Sequence, residues 1–263
     1  MTFERALLGA LLTMLAGCAA AVPAPTPAVP VTPAVPVLRP QVLAELPHDP
    51  EAFTQGFELA GDALYEGTGL AGRSELRELD PATGAVRRAV ALPGTLFGEG
   101  ITVVGDRIWQ LTWRDGVALE WERATFTLLR QVPIDGEGWG LCHDGTTLVR
   151  SDGTDRLRFH DPDTFAETGS VTVTLDGAPV TELNELECVD GQVWANVWKT
   201  DRIVRIDPAD GRVTAVLDAT GLLPADRRAG TDVLNGIAAS APDEFLLTGK
   251  LWPTTFHIHL PPP

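Results

Sequence analysis

From residue 41 onward, apolar positions fall in short runs and alternations broken by Gly, Asp, Asn and Pro, and a helical period is weak throughout. The pattern predicts strands joined by tight turns, and it repeats. Gln55-Gly56-Phe57-Glu58, Glu99-Gly100-Ile101-Thr102, Trp139-Gly140-Leu141-Cys142, Asn184-Glu185-Leu186-Glu187 and Asn235-Gly236-Ile237-Ala238 each open a copy, at intervals of 44, 40, 45 and 51 residues. The last interval is stretched by a polar insertion around Pro224 to Thr231. Within a copy, a turn such as Gly61-Asp62 or Asp190-Gly191 leads to a second strand (Ala63 to Glu66, Arg107 to Thr112, Gln192 to Val197). A third strand ends at a turn such as Leu79-Asp80-Pro81 or Ile206-Asp207-Pro208, and a fourth follows. Four strands at this period predict an all-β, five-bladed β-propeller with four-stranded blades.

The ends of the pattern predict how the ring closes. The last copy stops after its third strand, Thr255 to Leu260, while Gln41 to Pro47 precedes the first copy and resembles the fourth strand Arg88 to Pro93. The N-terminal strand is therefore expected to complete the last blade, which removes two open sheet edges.

In a propeller the first strand of each blade lines the channel, and its start opens on the same face as the end of the antiparallel second strand. The starts are Gln55, Glu99, Trp139, Asn184 and Asn235, and the ends are Gly69, Trp113, Asp152, Trp198 and Lys250. A channel filled for stability alone would favour small aliphatic side chains. Three Trp, three carboxamides, one Glu and one Lys around one mouth instead suit a small-molecule pocket. Glu99 is the single carboxylate among the five starts and sits between Gly98 and Gly100, which let the strand entry bend. Aromatic enclosure should raise its pKa and Lys250 should oppose the rise. Asp152 reads as a turn residue, and Glu137, Glu185 and Glu187 as charged surroundings of the mouth. The five histidines show no metal-ligand spacing, and His257 and His259 read as a surface pair. No nucleophile elbow or phosphate-cradling loop is present.

A net charge of −16 argues against a nucleic-acid partner, which would need clustered Lys and Arg. Residues 1–18 read as a lipoprotein-type signal peptide: Arg5, the apolar run Ala6 to Leu12, and Leu15-Ala16-Gly17-Cys18, which resembles a bacterial lipobox. Residues 19–40, rich in Pro, Ala, Val and Thr, read as an extended tether, leaving 41–263 as the propeller. The expected setting is an exported protein at the cell envelope, periplasmic or surface-facing, touching the membrane only through its N-terminal lipid. Cys142 and Cys188 fall in neighbouring copies one position out of register, which favours two buried thiols over a bridge.

A set of motifs in this order carries a resemblance: Phe53-Thr54-Gln55-Gly56, Tyr65-Glu66-Gly67-Thr68-Gly69, Phe97-Gly98-Glu99-Gly100-Ile101-Thr102, Leu111-Thr112-Trp113, Gly138-Trp139-Gly140-Leu141, Ser151-Asp152-Gly153-Thr154, Leu183-Asn184-Glu185-Leu186-Glu187, Ala195-Asn196-Val197-Trp198 and Leu234-Asn235-Gly236-Ile237-Ala238. Over roughly residues 41–260 the chain resembles the plant-type glutaminyl-peptide cyclotransferases, including their bacterial branch. The resemblance implies a five-bladed propeller that converts the N-terminal glutamine of peptides or proteins to pyroglutamate with release of ammonia. It implies Glu99 as the catalytic carboxylate, a pocket of Phe53, Gln55, Phe97, Trp113, Trp139, Asn184, Trp198 and Lys250, and neither metal nor cofactor. The expected protein is a monomer whose partners are peptides or proteins led by glutamine. A non-catalytic propeller binding peptide or glycan at its mouth is the alternative from another class; a glycosidase would need paired carboxylates across the pocket.

Overall fold

The computed structural model describes residues 34–261, and among them the only helical turn is Ala225–Arg227. Blade 1 is built from Thr54–Ala60, Ala63–Thr68, Glu75–Leu79 and Val86–Ala91, and blade 2 from Gly98–Val104, Arg107–Thr112, Val117–Glu122 and Leu128–Pro133. Blade 3 is Leu141–His143, Leu148–Ser151, Arg156–His160 and Glu167–Thr172; blade 4 is Leu183–Val189, Gln192–Val197, Arg202–Ile206 and Val213–Asp218. Blade 5 takes Leu234–Ala241, Glu244–Gly249 and Thr254–His259 from the C-terminal part and Gln41–Pro47 from the N-terminal part, with Leu46 opposite Thr255 and Pro47 opposite Thr254. The five-bladed ring and its closing strand are as the repeat predicts.

Blade strands have two buried faces because each blade is covered by a neighbour on either side. In Arg107–Thr112, successive side chains point to opposite faces. Ile108 joins Tyr65, Leu76 and Ile101 between blades 1 and 2, while Trp109 joins Leu141, Leu148 and Phe165 between blades 2 and 3. Leu183, Val204 and Cys142 fill the layer between blades 3 and 4, Trp194 and Phe245 that between 4 and 5, and Phe57 and Leu246 that between 5 and 1. The acidic composition has a local use as well. Asp80, Asp144, Asp161 and Asp207 each accept a backbone N–H two residues on, fixing turns between strands.

Two expectations change. The folded unit begins before residue 41: Val37–Leu38 pairs in parallel with the outer strand of blade 4, Val37 opposite Val216, and Arg39 bridges to Asp218 at 2.9 Å. The outer edge of a blade carries unpaired backbone groups, and two non-proline residues at the end of the Pro-rich stretch suffice to use them. The signal-peptide reading and the rest of the tether lie outside the described residues. Cys142 and Cys188 are joined in a disulfide, with Cα atoms 5.4 Å apart. Neighbouring inner strands meet at staggered heights, so an offset of one position brings side chains together. Gly56, for example, lies against Ile101, one position further along its own strand.

Below its mouth the channel is polar rather than aliphatic, because inner strands leave N–H groups unpaired by sheet ladders. Glu185, in blade 4, accepts from Phe57 N in blade 1 at 3.3 Å and Ile237 N in blade 5 at 2.8 Å. Ser151 Oγ accepts from Gly140 N and donates to the Asn184 carbonyl, both at 2.7 Å. Glu58 accepts from Val103 N at 3.0 Å. Burial lifts Glu58 to a pKa of about 7, and burial with the charge of Glu58 pushes Glu187 well above the carboxylate range. Burial, then the charge of Glu187, does the same to Glu185. Each folded-state value lies above the unfolded one, so the contribution of these three carboxyls to stability is greatest below the ordinary carboxylate pKa and falls as pH rises toward 7. Glu58→Gln is expected to flatten that fall, raising stability at pH 8 by on the order of 1–3 kcal/mol, or about 2–4 °C in Tm per kcal/mol. Thermal melts of both proteins from pH 5 to 8 test this; parallel melting curves across the range would refute it.

Candidate active site

Four starts of inner strands converge at the mouth: Gln55, Glu99, Asn184 and, just before its strand, Trp139. Trp113, Trp198 and Lys250 follow the ends of second strands, and Phe53 and Phe97 precede the inner strands of blades 1 and 2. All nine predicted residues line a single cavity of about 240 Å³, joined by Asp232. Its polar members Gln55, Glu99, Asn184 and Lys250 are buried, while the five aromatic residues are half-buried. The result is a polar floor beneath an aromatic rim.

The glycines around Glu99 work by close approach. A Cβ on Gly100 would stand 2.6 Å from the Trp139 carbonyl oxygen, and one on Gly98 would stand 2.7 Å from that of Thr68. Gly100 N donates to Trp139 O at 2.7 Å. Blade 2 is thus pressed between blades 1 and 3 at Glu99, and the carboxylate is brought into the aromatic ring. Neither glycine takes a left-handed backbone.

A directional chain holds the carboxylate. Asn235 Nδ2 donates to the Thr54 carbonyl at 2.9 Å and to Gln55 Oε1 at 3.4 Å, and Gln55 Nε2 donates to Glu99 Oε1 at 3.0 Å. Asn235, a start-of-strand residue like the others, therefore supports Gln55 instead of lining the cavity. Asp152 accepts from Thr154 N and pairs with Arg158 at 2.9 Å, a turn residue as expected. Phe53 meets Phe97 edge-on at 6.2 Å, Phe97 meets Trp113 at 5.5 Å, and Trp139 meets Trp198 edge-on at 5.3 Å.

Glu99 is 4% exposed, and burial pushes its pKa well above the usual carboxylate range. Lys250 works against that rise and Glu137 adds to it. Burial lowers Lys250, against the opposing pull of Glu99 and Asp232. The Lys250 ammonium also lies 4.9 Å from the centroid of Phe53. Its backbone is tied to the segment after the polar insertion, N to Val233 O and O to Asp232 N, each at 2.9 Å.

Sequence reasoning missed Asp232 and undervalued Glu137. Asp232 reaches the rim from the connection into blade 5, at a position where no other copy has an acid. For Glu137 a signal existed: it stands two residues before a strand start, the position occupied by Phe53 and Phe97 in blades 1 and 2.

A closed five-bladed ring with one enclosed carboxylate, a facing ammonium and an aromatic rim defines a propeller built around a residue-sized ligand pocket. The chain belongs to the glutamine cyclotransferase family, whose profile matches residues 10–260. It is 42% identical over 227 residues to the glutaminyl-peptide cyclotransferase of Arabidopsis thaliana, covering 84% of this chain and 71% of that one. The crystal structure of the glutaminyl cyclase of Myxococcus xanthus superposes with a TM-score of 0.79 at 38% identity, over 85% of this chain and 97% of that one.

Proposed function

We propose that the protein is a glutaminyl-peptide cyclotransferase in which Glu99 moves the proton and no metal takes part. The observation that carries this is the single buried carboxylate at the floor of an aromatic cavity of about 240 Å³. The α-amine nitrogen of the N-terminal glutamine bonds to its own side-chain carbonyl carbon, and the bond from that carbon to the amide nitrogen breaks. The products are a five-membered lactam and ammonia. The aromatic rim holds the glutamine curled, which supplies rate through orientation. One proton must pass from the attacking amine to the leaving nitrogen, and both lie within reach of one group on the floor. Glu99 is suited to this because burial raises its pKa well above the usual carboxylate range, which makes it a stronger base toward the amine. Lys250 stabilises the oxygen that becomes negative in the tetrahedral intermediate, with Asn184 and Gln55 as the neighbouring amides.

The donor set supports chemistry without a metal. Glu99 faces an ammonium, which repels a cation, and among the described residues no three His, Cys, Asp or Glu side chains converge as ligands. We further propose export with anchoring through a lipid on Cys18, and action as a monomer. The disulfide supports the first, since such bonds persist in oxidising compartments.

A coupled ammonia assay with Gln-led dipeptides, with and without chelator, tests the reaction. Ammonia release at the same rate in both is expected. No ammonia from any Gln-led substrate would sink the cyclotransferase reading, and activity lost to chelator would sink the metal-free mechanism alone.

A further inference from the structure

Trp113 and Trp139 both direct their indole N–H away from the cavity, and one oxygen receives both. Glu137 Oε2 accepts from Trp113 Nε1 at 2.8 Å and from Trp139 Nε1 at 2.9 Å. Its other oxygen accepts from Arg114 Nε at 2.7 Å, and the Arg114 guanidinium lies 4.0 Å from the centroid of the Trp113 ring. Burial, which raises the pKa of Glu137, is outweighed by the Trp139, Arg114 and Trp113 bonds, so the group is held ionised.

The link that carries Glu137 is itself anchored. Arg150, 1% exposed, donates from Nη1 to the carbonyls of Asp135 at 3.1 Å and Glu137 at 3.0 Å. Its Nε donates to His160 at 3.2 Å, and among the described residues no carboxylate pairs with it. A buried cation without an acid partner is costly, so its use on two backbone carbonyls marks a link that must keep its place. Gly138 N adds a bond to Trp113 O at 3.0 Å. Both ends of the Glu137 residue, backbone and carboxylate, are therefore set.

The consequence reaches the whole rim. A bound N–H removes the freedom of an indole to turn in its plane. Trp113 packs on Phe97 and through it on Phe53, and Trp139 packs on Trp198. Two arcs of aromatic wall thus meet at one carboxylate outside the cavity. Resting on the cyclotransferase reading, we propose that Glu137 is a positioning residue for the cyclisation, clamping Trp113 and Trp139 in the orientation that keeps the N-terminal glutamine curled over Glu99. It touches neither the substrate nor the reacting atoms. Its charge has a second effect. The charged groups facing Glu99 are Lys250, which lowers its pKa, and Glu137, which raises it, while Asp232 acts on Lys250. Removing Glu137 therefore moves the acid limb of activity to lower pH.

The test compares Glu137→Ala, Glu137→Gln and wild type by steady-state ammonia release from a Gln-led dipeptide across pH, with near-UV circular dichroism of the tryptophans. Glu137→Ala should lose about 10–100-fold in kcat/KM, mostly in kcat, because a loose wall still admits glutamine but no longer holds the curl. Glu137→Gln keeps an oxygen for both indoles, so it should recover most of that loss while still showing the acid limb shifted down. The near-UV signal should change in the Ala variant and persist in the Gln variant. If Glu137→Ala does not fold, Arg114→Ala, which removes one bond to Glu137 and the cation over Trp113, should lower kcat and change the near-UV signal, while the Gln variant tests the charge through the acid limb. Variants with wild-type kcat, KM, acid limb and near-UV signal would overturn the clamp. A wild type that releases no ammonia would instead remove the cyclotransferase reading on which the clamp rests, so the two failures are distinguishable.

Discussion

Glu99→Gln is expected to fold normally and to release ammonia from Gln-led peptides roughly 10²–10⁴ times more slowly than wild type. The substitution preserves shape, and a carboxamide oxygen at this position still accepts from Gln55 Nε2, which lies 3.0 Å from Glu99 Oε1. What it removes is a group able to take a proton from the amine and return it to the leaving nitrogen. Stability separates loss of chemistry from loss of fold. A buried carboxyl whose pKa is raised on folding weakens the native state as pH climbs above the ordinary carboxylate value. The neutral variant should therefore melt no lower than wild type at pH 8. Wild-type turnover in this variant would move the proton shuttle to another group.

Lys250→Met should cost roughly 10²–10³-fold in kcat, the scale of losing one donor to a developing oxyanion. It should also move the acid limb of kcat/KM to higher pH. The Lys250 ammonium is the charge that favours ionised Glu99, so without it burial and Glu137 act unopposed and Glu99 holds its proton longer. Methionine keeps the unbranched, apolar stem beside Phe53, so the cavity wall is preserved. A pH–rate profile measured beside wild type reads both effects at once. An acid limb that stays in place would mean that Lys250 does not sense the catalytic carboxyl.

The direction of the Glu99 shift is legible in the sequence, since an acid among tryptophans and across from a lysine has one dominant influence and one opposing it. Its third influence is not. Glu137 was visible as a carboxylate two residues from Trp139, but its bonds to the edges of two indoles depend on where Trp113 of another blade turns its ring. Asp232 stands three residues before Asn235, where the other copies have no acid, and its place at the rim follows from how the connection into blade 5 is tied to the Lys250 backbone.

What the sequence determined by itself is the ring: five copies, four strands in each, the closing strand Gln41–Pro47, and seven of the residues at the mouth, with Phe53 and Phe97 supplied by the family resemblance. It could do so because each copy repeats the same strand order and blades 1, 2, 4 and 5 share an irregularity at the start of the inner strand, so most equivalent positions in the repeat reach the same face of the ring. The tertiary structure alone decided what passes between copies. The Cys142–Cys188 bridge, the seating of Val37–Leu38 on blade 4, the polar sealing of the channel and the Glu137 clamp all join blades at staggered heights or fix the rotation of a ring. Those quantities are set by how the blades pack, and no spacing along the chain encodes them.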